Sequence, residues 1–300
     1  MATLTAFPNG QWTYTPETVE SFAKSYVDKY APLQKSAEAS LFRRFEDKYI
    51  LPKALKADLN KVLAKHLNPD YPDKKTKYNV MRSVYFDSKN LDMVKHHVEK
   101  ATSRFKLRTR EYAPDGNLAK SDYMYLEVKA KHGEVCDKFR IKVPKSDIES
   151  FKKGLPIIPT AQLIKANPNI GVVDLVKRVM DINTAMTKFE LRPSCEVCYT
   201  RRAYSTGSVD DGLRVTFDEG VNHNVLDVIP TSLSNALNKE SGDDSLNNMV
   251  NGYSPDNHLI LEVKHHGAIP DWLTQFLNDH KVVKTQFSKY CYSMAKHAIK

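Results

Sequence analysis

Apolar and polar residues alternate with period two through much of this chain, and helical stretches interrupt the alternation at intervals. A period of two places successive side chains on opposite faces of a strand. The clearest run, Asp122 to Val143, reads as two strands around a turn at Lys131, His132 and Gly133. Tyr125, Glu127 and Lys129 share one face of the first strand, and Lys138, Arg140 and Lys142 share one face of the second. Met124, Leu126 and Val128 lie opposite, as do Phe139, Ile141 and Val143.

The pattern recurs. Leu41 to Leu51 sets Arg44, Glu46 and Lys48 in phase, and Thr102 to Tyr112 sets Lys106, Arg108 and Arg110 against Phe105 and Leu107. Leu191 to Tyr204 carries Tyr199 and Arg201, Gly212 to Asp218 carries Arg214, Thr216 and Asp218, and His258 to Lys264 carries Glu262 and Lys264. Asn79 to Asp87 is a further strand, in which Tyr85 and Phe86 read as core.

Helical spacing appears at Pro52 to Leu67, where Leu55, Leu59, Val62 and Leu63 form a stripe, and at Leu91 to Val98. Lys145 to Met186 is mainly helical, most clearly from Val172, and Ile269 to Asn278 and the end from Phe287 are helices too. Residues 1–40 form a leading segment with a helix start at Thr15-Pro16-Glu17, then Val19, Phe22, Ala23 and Tyr26 at helical spacing. It reads either as a helix packed on the main body, residues 41–300, or as a mobile extension. Residues 231–257, rich in Ser, Asn, Asp and Gly, read as a loop or insert.

Two architectures accommodate strands with one charged and one apolar face. One is an open sheet backed by helices; the other is a closed barrel with a charged bore, for which about eight strands enclose room for one ligand. Cations crowded in a bore repel one another and lose solvation unless a polyanion fills it.

Composition sharpens this. The chain has 300 residues, 41% hydrophobic and 27% charged, with a net charge of +9, which fits a globular protein with a polyanionic partner. No window approaches the ~20 apolar residues of a membrane span, and no apolar signal core opens the chain, so a cytoplasmic protein is expected. Cys195 and Cys198 form a C-x-x-C, but three residues apart on a strand they face opposite ways, so no metal is assigned to them. Adjacent His265 and His266 are excluded on the same ground. The cations alternate along strands rather than lining a basic helix, which argues against nucleic acid.

The order of the segments adds more. RRFEDKYIL, SVYFDS, FKLRTREY, LEVKAKHGEVCDKFRI, YTRRAY, LRVTFDEG, LILEVKHHGAIPDWL and FSKY follow one another over roughly residues 41 to 292. Together they resemble the VTC domain, the polyphosphate polymerase branch of the triphosphate tunnel superfamily. The resemblance implies an α+β fold: an eight-stranded antiparallel barrel, the triphosphate tunnel, with helices packed outside. It implies transfer of the γ-phosphate of ATP onto inorganic polyphosphate with release of ADP, and a divalent metal, Mn²⁺ before Mg²⁺. The residues carried over are Lys48, Arg108, Arg110, Lys129, Arg201 and Lys264 for catalysis. Lys138, Arg140, Lys142, Tyr199, Arg214 and Lys289 would bind substrate. Glu262 matches the metal-binding carboxylate, with Glu46 and Glu127 on the same faces as assistants.

The hydrolase and cyclase branches open with E-x-E-x-K, whereas this chain has Arg44, Glu46 and Lys48. Exchanging a carboxylate for a cation favours the polymerase over a tunnel triphosphatase, which is the alternative, as is a non-catalytic polyphosphate-binding module. Some relatives flank the tunnel with an inositol-pyrophosphate-sensing helical domain and a membrane-spanning tail. Neither is expected within this chain, although a membrane partner stays open.

Overall fold

Alternating strands rich in Val, Ile, Phe and Tyr build most of the chain into a single antiparallel sheet. The computed structural model describes residues 3–6, 12–15, 18–37, 44–70, 78–113, 116–207, 212–226 and 251–298. A separate hairpin, β1 (Thr3–Ala6) and β2 (Trp12–Thr15), comes first, followed by helix α1 (Val19–Ala37). Strand β3 (Arg44–Pro52), helix α2 (Lys56–His66), the short β4 (Asn68–Pro69), β5 (Asn79–Asp87) and helix α3 (Asp92–Val98) follow. Then come β6 (Ser103–Ala113), β7 (Tyr123–His132) and β8 (Val135–Pro144). Helices α4 (Lys145–Lys152), α5 (Ala161–Ala166) and α6 (Val172–Lys188) lead to β9 (Arg192–Ser205) and β10 (Arg214–Val225). The last elements are β11 (His258–His266), α7 (Asp271–Asp279), the two-residue β12 (Lys284–Thr285) and α8 (Lys289–Ala298). The insert expected at 231–257 lies, up to residue 250, outside the described residues.

The main sheet has ten strands in the order β12-β3-β11-β10-β9-β5-β6-β7-β8, with β4 paired to β9. The hairpin read from the sequence is β7 with β8, in which Leu126 faces Ile141 and Glu127 faces Arg140. Its two-residue turn opens on Gly133 at φ +56, a backbone region that glycine enters without a Cβ clash.

In the pairing order β3 and β7 stand six strands apart, roughly 29 Å in a flat sheet at ~4.8 Å per strand. Yet the Glu46 carboxylate on β3 feels the Lys129 ammonium on β7, so the sheet curls until its two ends face each other. Bulges between β10 and β9 at Glu219/Asn222 and between β5 and β9 at Tyr85/Phe86 add local bend.

Beyond the ten strands in place of eight, two features differ from the expected barrel. The curl is not closed: β8 and β12 are not hydrogen-bonded to each other. At Lys142 the β8 edge is instead capped by Asn167, whose Oδ1 accepts from the Lys142 N–H at 2.8 Å and whose Nδ2 donates to the Lys142 carbonyl at 2.8 Å. At the other end β12 runs for only two residues before the chain turns inward. The second difference is α8, which lies against the concave face rather than outside. Tyr290 stacks on Tyr85 at 4.5 Å, and Tyr290, Tyr292 and Met294 share a core with Met81, Val197, Val221 and Ile260 of the inner strand faces.

The other two cores lie on the convex side. Helices α1 and α6 cover β6, β7 and β8 through Phe22, Tyr26, Leu175, Val179, Leu107, Leu126 and Ile141. Helices α2 and α7 cover β3, β10 and β11 through Leu59, Leu63, Leu273, Phe217 and Leu261. Of the two readings of the leading segment, packing prevails: Val19, Phe22, Ala23, Tyr26, Val27 and Tyr30 are buried. Arg178 of α6 anchors it further. Its guanidinium is 2.8 Å from the fully buried Asp137 on β8 and lies 4.1 Å from the Tyr30 ring centre.

Candidate functional site

The curled sheet encloses a cavity of about 530 Å³. Its wall is built by the period-two rule, since the strands present their charged faces inward and their apolar faces to the helices. Eleven lysines and arginines line it, against three glutamates. The cations are Lys48, Lys106, Arg108, Arg110, Lys129, Lys138, Arg140, Arg201, Arg214, Lys264 and Lys289; the carboxylates are Glu46, Glu127 and Glu262. Tyr199 lines it as well.

The charges are organised into three groups. On β6, β7 and β8, Glu127 holds three arginines: Arg108 at 2.7 Å, Arg140 at 3.3 Å and Arg110 at 3.6 Å. Burial raises the Glu127 carboxyl, but Arg108, Arg110 and Arg140 outweigh it and hold the group below the usual carboxylate range. Arg108 also donates to the Tyr85 hydroxyl at 3.0 Å, and Arg110 to the Ser83 hydroxyl at 3.3 Å.

On β9 and β10, Arg201 grips buried Asp218 with two hydrogen bonds, Nε at 2.6 Å and one η nitrogen at 2.8 Å. Lys289, the first residue of α8, closes on the same carboxylate. Burial raises Asp218, but Arg201 and Lys289 keep it ionised, so the inward helix is tied to the wall.

On β11 and β3, Lys264 lies 2.7 Å from Glu262 and 3.7 Å from Glu46, while Lys48 lies 3.4 Å from Glu46. Burial raises Glu262, and Lys264, Arg201 and Lys48 pull it well below the usual range. Glu46 is likewise lowered: burial and Glu262 raise it, while Lys48, Lys264 and Lys129 prevail.

Two lysines of the wall also reach the residues just before α8. Lys106 donates to the Ser288 hydroxyl at 3.0 Å, and Lys48 donates to the Phe287 carbonyl at 3.0 Å. Burial pushes the Lys106 ammonium below its ordinary value. Enclosure pushes Lys129 down to about 8, against the pull of Glu46.

The structure brings together all but one of the residues singled out from the sequence. Lys142 is the exception: it does not line the cavity, and its ammonium lies over the Tyr123 ring at 4.8 Å, beyond Arg140 toward the strand end. Arg44 lies outside the residues whose side chains are described. Sequence reasoning left out Lys106, although it is in phase with Arg108 and Arg110, and it assigned Tyr85 to the core. Tyr112, Asn79 and Ser288 also line the wall without having been singled out. Neither Arg202 nor either cysteine of the C-x-x-C is among the residues that line the cavity.

Among the described residues no cluster of three or more His, Cys, Asp or Glu side chains stands ready for a metal. Glu262 and Glu46 nevertheless fit one. Both are ionised, both reach the Lys264 ammonium, and Mg²⁺-type ions take one or two carboxylates and complete their shell with water and phosphate oxygens. Glu127 does not fit, because its oxygens are engaged by three arginines.

No curated protein sequence matches the chain. Among solved structures, a candidate adenylate cyclase from Bacillus halodurans aligns at 12% identity with a TM-score of 0.40, over 81% of this chain and 92% of that one. No described helix is long and apolar enough to cross a membrane. The VTC domain model matches residues 43–298, nearly the whole length, and by that match the chain belongs to the VTC domain family.

Proposed function

We propose that the chain is an ATP-dependent polyphosphate polymerase that works in the cytoplasm. The observation that carries this reading is the concentration of eleven cations and the Glu46/Glu262 pair around one cavity, in a VTC-family chain. The terminal oxygen of the acceptor chain forms the new bond to the γ-phosphorus, the bond from that phosphorus to the bridging oxygen breaks, and ADP leaves. Charge in such a transfer is spread over phosphoryl oxygens, so positioning and electrostatics do most of the catalytic work.

Arg108, Arg110 and Arg201 have planar forks suited to phosphate oxygens, and Lys48, Lys129 and Lys264 act as point charges. Lys138, Arg140, Arg214, Lys289 and Tyr199 extend the binding surface. A divalent ion, Mn²⁺ or Mg²⁺, held by Glu262 and Glu46 supplies neutralisation of phosphate charge when bound. The acceptor itself provides the attacking oxygen, so no protein nucleophile is required.

Purified protein incubated with ATP and Mn²⁺ tests this. ADP release matched by a polyphosphate ladder on a gel supports the polymerase. Free phosphate without a ladder moves the assignment to a tunnel triphosphatase, and saturable polyphosphate binding without turnover leaves a binding module.

A further inference from the structure

Arg140 is held differently from the other arginines of the cavity. It lies on β8, the edge strand, and its side chain is 46% exposed, so nothing in the packing of a core fixes it. Two tyrosines do. The guanidinium carbon stands 3.7 Å from the ring centre of Tyr125 and 4.9 Å from that of Tyr112. The two rings meet edge to face, 5.4 Å apart at 88°, so each fixes the plane of the other. Register explains the meeting. Tyr125 of β7 faces Arg110 of β6, Tyr112 is the next inward residue along β6, and Arg140 faces Glu127, the next inward residue along β7.

The Nε of Arg140 is committed to Glu127 at 3.3 Å. Among the described residues its η nitrogens have no partner, and an η pair presented in a fixed plane is the fork that takes two phosphate oxygens together. The place also matters. Along β6, Lys106 touches Ser288 at the start of α8, and Tyr112 lies six residues away, about 20 Å of extended strand. Arg140, paired through Glu127 to the level of Arg108, stands between those two points with its rings on the Tyr112 side.

We propose that Tyr112 and Tyr125 form an aromatic clamp that preorganises Arg140 to receive a phosphate group of the polyphosphate chain in the cavity. The inference rests on the polyphosphate reading above. Tyr125 does not line the cavity and acts only through Arg140, which makes it a positioning residue. Tyr112 lines the wall, and its hydroxyl also accepts from Arg110 at 3.4 Å. Unclamped, a long side chain on an edge strand must lose its rotamer freedom on binding; clamped, it has lost it already.

The experiment is a double-mutant cycle read by calorimetric titration of a defined short polyphosphate into the intact protein, with melting temperature recorded for each variant. Tyr125→Leu is expected to weaken binding about two- to fivefold, the range of a partly exposed cation–π contact, while Tyr125→Phe binds as the parent does. Arg140→Lys weakens binding in the parent and does so by at least about twofold less in the Tyr125→Leu background, because the clamp is already gone. Equal losses in both backgrounds overturn the clamp. If Tyr125→Leu does not fold, Tyr112→Leu removes the other ring and completes the same cycle. A parent protein that binds no polyphosphate overturns the functional reading and the clamp together, whereas a parent that binds with an additive cycle overturns the clamp alone.

Discussion

Glu127→Gln tests the role assigned to that carboxylate, counter-ion to three arginines rather than metal ligand. Glu127 is 14% exposed and serves Arg108 and Arg110, themselves 26% and 11% exposed, together with the more open Arg140. Removing one member of a buried ion pair costs ~3–5 kcal/mol, because the partner charge stays behind uncompensated. The exposed Arg140 contact adds little, and glutamine keeps one oxygen that accepts from Arg108, so the expected loss is about 2–3 kcal/mol. With ~2.1 cal/mol/K of unfolding entropy per residue over the chain, this lowers the melting temperature by about 3–5 °C.

The sign with pH follows. A carboxyl held low in the folded state contributes stability above its ordinary range near ~4.3 and loses it as pH falls through the folded value. The full difference is therefore present at pH 7 and narrows in acid. Polyphosphate should then reverse the effect, since its oxygens take the place between the arginines that the carboxylate vacates. The assay is thermal unfolding with and without polyphosphate. The upward shift should be larger in Glu127→Gln than in the parent. A smaller shift would mean that Glu127 belongs to the ligand-binding set, and an unchanged unliganded melting temperature would mean that its three pairs contribute nothing.

The remaining expectations concern other parts of the chain. Glu262→Gln should abolish metal-dependent turnover while polyphosphate binding persists in calorimetry; full activity in Mn²⁺ would remove Glu262 from the site. Lys129, pushed down to about 8, should be charged in the free protein below that pH and partly neutral above it. Polyphosphate binding should then take up a proton at pH 8.5 and almost none at pH 7, seen as a buffer-dependent binding heat that Lys129→Arg abolishes. Its folded value below the ordinary lysine range also means that its contribution to stability rises between about pH 8 and 10. Arg178→Met should destabilise by about 3–5 kcal/mol in chemical denaturation by stranding Asp137, and adding Asp137→Asn should recover part of that loss. Polyphosphate affinity should stay at the parent value throughout, since this pair lies on the convex side of the sheet.

The site was legible in the chain to the extent that period two is a local property. Arg108 with Arg110, Glu262 with Lys264 and Lys138 with Arg140 face inward because neighbouring phases on one strand dictate it, and Lys106 was open to the same argument. What alternation does not encode is which strands meet. The closeness of Glu46 and Lys129 depends on the curl of a sheet six strands wide, and the inward position of α8 depends on where a two-residue strand ends. Tyr85 shows a different gap. An aromatic ring with a polar tip reads as core from its neighbours, and here the ring does pack on Tyr290 while the hydroxyl accepts from Arg108. Lys142 shows the converse, being in phase with the cavity cations but one pair too far along its strand.

Asn167 has a consequence beyond the tunnel. A sheet edge with unpaired amides and carbonyls is a template on which another chain can add a strand. At Lys142 that template is filled by a side-chain amide, which reproduces the donor and acceptor of a peptide group and is itself steadied by its bond to the Leu163 carbonyl at 2.8 Å. The sheet therefore ends at this point through the chemistry of one residue on a loop. Asn167→Ala would hand both main-chain groups back to water, and self-association along β8, visible as concentration-dependent light scattering, is the expected outcome.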